Sequence, residues 1–127
     1  MSEGRQIRIT GIHTVGVPVT DQDRALAFYT DTLGLETRMD APVEQLGGRW
    51  IEVAVPGAAT TIALVPADKE APAGTETGIR LTAADVPAAH EELKQRGVEV
   101  GELLSWEGVP PMFALRDPDG NGLEIVE

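Results

Sequence analysis

The sequence predicts an α+β fold: two βαβββ modules forming a curved mixed sheet with a central cavity. Three observations carry the prediction. First, the chain repeats itself. Each half has a strand-like run, a helix start, a glycine stop, an apolar residue and a glutamate. The runs are Val15–Val19, Thr20-Asp21 and Gly34-Leu35-Glu36, then Ile79–Leu81, Asp85 and Gly97-Val98-Glu99. A repeat constrains architecture before any single element does. Second, the strand-like runs alternate with period two and the helices carry apolar residues at helical spacing. Third, 127 residues suffice for one shared core, whereas either half alone is marginal.

The elements follow in order. Ile7–Val19 reads as a strand, with Val15, Val17 and Val19 on one face. Thr20-Asp21-Gln22-Asp23 has the capping-box pattern, an oxygen-bearing side chain with an acid three residues on. Ala25, Phe28, Tyr29 and Leu33 continue as a helix that Gly34 stops. Arg49–Val55 and Thr60–Val65 flank Pro56-Gly57 as a hairpin. Module one thus covers about residues 7–66, a Pro/Ala/Gly-rich linker 67–77 and module two 78–127. In module two, Asp85 caps a helix with Pro87 in its first turn. Val86, Ala89, His90 and Leu93 are its inner stripe and Gly97 its stop. Phe113–Leu115 and Leu123–Val126 flank the turn Asp117-Pro118-Asp119-Gly120-Asn121.

Composition excludes several classes. A formal net charge of −11 opposes nucleic-acid binding. No cysteine is present, so disulfides and thiolate chemistry are excluded. No apolar run approaches a membrane span and no signal peptide is visible, so a cytoplasmic protein is expected. The glycines match no phosphate-loop pattern, and no motif arms Ser105 as a nucleophile.

Each sheet must bury one face under its helix. The more apolar parity takes that role: Val15/Val17/Val19, Ile51/Val53/Val55, Ile62/Leu64, Ile79/Leu81, Phe113/Leu115 and Leu123/Ile125. The opposite parity lines the open side. It mixes small residues with Trp50, Glu52, Arg80, Met112, Arg116 and Glu124, the composition of a small-molecule pocket. Trp106 sits in the Gly/Pro-rich run Trp106–Pro111, which is expected to be a loop able to cover the pocket. Glu52 and Glu124 are the candidate acid/base pair, and the alternative is neutralisation by Arg80, Arg116 or Arg49.

Val15-Gly16-Val17-Pro18-Val19-Thr20-Asp21, Arg24-Ala25-Leu26-Ala27-Phe28-Tyr29 and Leu33-Gly34-Leu35 resemble the opening of the vicinal oxygen chelate superfamily. That group takes in glyoxalase I, extradiol dioxygenases, bleomycin- and fosfomycin-resistance proteins, and methylmalonyl-CoA epimerase. Asp117-Pro118-Asp119-Gly120-Asn121-Gly122-Leu123-Glu124 is similar to its closing signature. The resemblance spans nearly the whole chain and implies a glyoxalase/bleomycin-resistance-like fold, one domain over 1–127 and a homodimer. It leaves the reaction open, because one scaffold hosts many chemistries. Metal-dependent members place ligands at four positions, which here hold Thr14, Ala63, Gly78 and Glu124. A lone carboxylate does not hold a transition ion, so no metal cofactor is expected. His13 has the parity of the helix side, and only a bulge would turn it to the open face; His90 is expected to be structural.

The leading expectation is therefore a metal-independent small-molecule-binding protein of the resistance or sequestration type. Trp50, Arg80, Trp106, Met112 and Arg116 are its expected ligand contacts. One alternative is a glyoxalase- or dioxygenase-type enzyme with a divalent metal on Glu124. Another is a metal-free lyase or isomerase using Glu52 or Glu124 as base.

Overall fold

The two halves fold into the same topology. A computed structural model describes residues 6–127. In the first half, β1 (Thr14–Val19) leads to α1 (Gln22–Ala27), which continues as a π turn over Phe28–Thr32. β2 (Glu36–Val43), β3 (Gly48–Ala54) and β4 (Thr61–Pro66) follow. In the second, β5 (Glu76–Thr82) leads to α2 (Val86–Gln95), β6 (Leu104–Trp106), β7 (Val109–Arg116) and β8 (Gly122–Val126). The sheets run in the orders β1-β4-β3-β2 and β5-β8-β7-β6, with β1 parallel to β4 and β5 parallel to β8. β1 and β5 are thus both outer strands, and among the described residues no ladder joins the sheets.

Local chemistry explains the helix ends. Asp21, not Thr20, is the N-cap of α1, and its carboxylate accepts from the Arg24 amide at 3.0 Å. Thr20 is free to donate to Asp119 in the other half. Asp85 caps α2 in the same way through the Ala88 amide. Both helices stop on a glycine at positive φ, +79° at Gly34 and +82° at Gly97. The closing bonds differ in span: Val98 N–H reaches Leu93 O, but Leu35 N–H reaches Tyr29 O, one residue further. The extra residue is the π turn. Gln22 pins α1 to its sheet by donating to Arg49 O at 2.6 Å and Leu64 O at 2.8 Å.

Three sequence expectations are corrected. The first strand begins at Thr14 rather than Ile7, and residues 6–13 lie outside any strand. β2 was not marked by pattern. Half of its residues are charged or polar, and Pro42 lies near one end, which an edge strand tolerates. Trp106–Pro111 is not a covering loop. It is a tight β6–β7 hairpin turning at Glu107-Gly108, and the two prolines, which cannot donate, accompany the irregular β6–β7 register.

Most of the face expected to be buried is buried, with Val15, Ile79 and Leu81 only half-buried. Val17, Val19, Ile51, Val53 and Leu64 from one sheet join Phe113, Leu115, Leu123 and Ile125 from the other in one core with Tyr29, Leu35, Val86 and Leu93. Each such side chain contributes about 1.5–3 kcal/mol of burial. Val55 departs from the pattern at 47% exposed, because β3 ends at Ala54. A polar joint sits beside this core. Tyr29 Oη donates to Asp117 Oδ2 at 2.9 Å. Burial, with Asp117's charge beside it, pushes the Tyr29 phenol far up, so the hydroxyl stays a donor. Asn121 donates to Pro18 O at 2.8 Å and to Asp117 Oδ2 at 3.0 Å. Its own oxygen accepts from the Gly74 and Thr75 amides. Among the described residues, no helix is long and apolar enough to cross a membrane.

Candidate functional site

Trp50 and Glu52 stand on the open face of the first sheet, opposite the buried Ile51 and Val53. Trp50 Nε1 donates to Glu52 Oε2 at 2.6 Å, and Thr61 Oγ1 donates to Glu52 Oε1 at 2.8 Å. The expected arginine is not there. Arg49 binds Asp40 and Asp23 instead. Glu52 is 8% exposed, but its cover is thin: close neighbours hide it and little protein lies beyond them. The Trp50 bond, then the Thr61 bond, hold its carboxyl below the usual range, with a weaker contribution from His13. His13 precedes β1, so strand alternation does not govern it. Met39, on the strand the sequence pattern missed, lies directly across from Glu52 and is half exposed.

The charged residues of module two occupy the second sheet. Arg80 and Glu124 are register partners on β5 and β8, and Arg80 Nε meets Glu124 Oε1 at 2.7 Å. Arg116 pairs with Glu76 and also donates to Gly120 O. Met112 is half-buried on β7, and Trp106 projects from the hairpin at 58% exposed. His90 bonds Gly101 O at 2.8 Å and packs edge-on against Phe113, a structural position. Within one chain, then, the expected site residues divide between two sheets. A groove of about 450 Å³ separates the sheets, lined by Ile12, Val15, Ile62, Ile79 and Leu81 among others. Of the expected contacts, only Arg80 lines it.

The whole chain has recognisable relatives. Residues 11–125 match the model of the glyoxalase/bleomycin resistance protein/dioxygenase superfamily. The chain belongs to that superfamily. The uncharacterized protein YetH of Bacillus subtilis (strain 168) is 34% identical over 125 residues, covering 94% of this chain and 99% of YetH. Among solved structures, TnmS3, an antibiotic-binding protein from Streptomyces sp. CB03234, is 32% identical with a TM-score of 0.84. The match covers 95% of this chain and 98% of TnmS3. A superfamily member from Sphaerobacter thermophilus DSM 20745 is 33% identical with a TM-score of 0.84, over 94% of this chain and 98% of that one.

The metal positions of the superfamily do not fit an ion here. Thr14 spends its hydroxyl on Thr61 O, Ala63 is a buried methyl, and Glu124 is held by Arg80. Gly78 offers no side chain and lies at φ +75°, a backbone that a histidine would strain. Among the described residues, no three of His, Cys, Asp or Glu cluster as a metal site.

The lowered Glu52 carboxyl makes a stability prediction for this superfamily member. A carboxylate depressed by folding stabilises above its unfolded pKa, near 4.5, and that contribution is lost as pH falls through the folded value. Glu52→Gln is expected to cost about 1–2 kcal/mol at neutral pH, with two hydrogen bonds to a charge weakened. Thermal melts of the two proteins should converge as pH drops below about 4.5. A gap that stays constant down to pH values around 3 would show that the Glu52 charge carries no stability.

Proposed function

We propose that this chain is a metal-independent small-molecule-binding protein of the resistance or sequestration type, working in the cytoplasm as a homodimer. The Trp50–Glu52 pair carries the reading. An indole fixed through its own N–H stands on a sheet face that also carries the small residues Gly16, Ala54 and Ala63. Small residues leave room, and the indole supplies a flat apolar wall. The likeness to an antibiotic-binding protein points the same way. A flat ligand would stack on Trp50, with charged groups orienting its polar end. Arg80, Trp106, Met112, Arg116 and Glu124 would form the facing wall, contributed by a second copy. Two features support that copy: β1 and β5 leave unpaired edges, and Ile7, Ile9 and Ile12 are 87%, 84% and 68% exposed.

The enzymatic alternatives have less support. Arg80 neutralises Glu124, and each Glu52 oxygen accepts from a fixed donor. Glu52 is held below the usual carboxylate range, the opposite of the raised acid that proton transfer near neutral pH uses. Titrating the purified protein with planar aromatic antibiotics, followed by tryptophan fluorescence, tests the proposal. Saturable quenching that survives a chelator is expected. Binding that requires an added metal, or conversion of the ligand, overturns it. Sedimentation velocity should return a dimer, and a monomer that still binds would remove the second copy from the site.

A further inference from the structure

Glu52 differs from the other acids on these sheets. Glu124 has Arg80, Glu76 has Arg116 and Asp40 has Arg49. Among the described residues, no arginine or lysine forms an ion pair with Glu52; both of its oxygens accept from the neutral donors Trp50 and Thr61. Strand register is the cause. Thr37 lies across from Val53 in the β2–β3 ladder. An unbroken ladder would set Arg38 across from Glu52, the arrangement in which opposite charges stabilise a sheet. A bulge between Thr37 and Met39 puts the thioether of Met39 there instead. Arg38 turns away, to Glu36 Oε2 at 2.6 Å and Val55 O at 3.2 Å.

The face is left with a hidden anion beside an indole and, among the described residues, with no arginine or lysine paired to it. We propose that the ligand of this site is cationic: an aromatic or heteroaromatic ring carrying a positively charged nitrogen, its ring on Trp50 and its charge against Glu52. The proposal rests on the small-molecule reading above. A desolvated carboxylate gains most from a cation brought to it, and the face of an indole attracts the same charge. The cover is thin and includes the flexible, half-exposed Met39, which can move aside. A net charge of −11 raises the local concentration of cations and opposes anionic ligands.

Three probes with one ring and different charges test it by calorimetry on the intact protein: 2-naphthylmethylammonium, 2-naphthylmethanol and 2-naphthoate. The ammonium is expected to bind about tenfold more tightly than the alcohol, and the carboxylate most weakly. That ratio should shrink on going from about 20 to about 500 mM salt, because the added ions screen the pair. In Glu52→Gln the ratio should fall to about one, as expected when the attracting charge is gone. The salt series on the unaltered protein decides the matter if the variant does not fold. Equal binding of ammonium and alcohol, or a ratio untouched by Glu52→Gln, overturns the cationic assignment while leaving a binding protein. Failure of all three probes also overturns it, and a blank antibiotic titration alongside would take the small-molecule reading down as well.

Discussion

Asn121→Ala is expected to lower stability by about 3–4 kcal/mol, read as a fall of about 10–15 °C in melting temperature. Asn121 is fully buried and ties three parts of the chain together. It donates to Pro18 O at the end of β1 and to Asp117, and it accepts from the Gly74 and Thr75 amides in the inter-module segment. Alanine removes both donors and the acceptor at once. Pro18 and Asp117 are buried, and each buried group left unsatisfied there costs about 1–3 kcal/mol, whereas the exposed Gly74 and Thr75 amides can turn to water. The damage does not stop there, because Asp117 Oδ2 keeps only the Tyr29 hydroxyl as a side-chain partner. Pro118→Ala, in the same turn but exposed, should be close to neutral. An Asn121→Ala protein melting within about 2 °C of the parent would show that the joint contributes little beyond its turn geometry.

Trp50→Ala is expected to weaken binding of the proposed ligand about a hundredfold, near 2.7 kcal/mol, the scale of a buried aromatic anchor in a binding surface. Two losses combine. The flat wall disappears, and Glu52 Oε2 loses the donor that fixes it at 2.6 Å. Trp50→Phe separates them, since it keeps a ring and removes the N–H. It should fall between the two, about tenfold down. Melting curves guard against misfolding, and because Trp50 is only half-buried its loss should leave the core intact. An affinity for Trp50→Ala within threefold of the parent would remove the indole from the site, and with it the observation on which the proposed function stands.

Some of this site was legible in the sequence because its causes are local. Alternation along β3 placed Trp50 and Glu52 together, since a side chain's face depends only on its position in the strand. The same rule does not reach His13, which lies outside any strand, so alternation along β1 does not govern its side chain. It also could not see Met39, because β2 carries little apolar pattern at a sheet edge. Sequence offered Arg80, Arg116 or Arg49 for Glu52 and Glu124 without choosing among them, because the Arg49–Asp40, Arg80–Glu124 and Arg116–Glu76 pairs each join different strands.

By itself the sequence determined the repeat, both helix stops, the buried face of each sheet and the superfamily. These depend on caps, glycine φ angles and apolar spacing, all decided by residues a few positions apart. Only the tertiary structure decided that Asn121 would reach Pro18, 103 positions away, and that a single inserted residue in β2 would take Arg38 out of Glu52's reach. Long-range hydrogen bonds and ladder register follow from how strands meet. One added residue there exchanges an arginine for a thioether across from a carboxylate, and no pattern within either strand announces it.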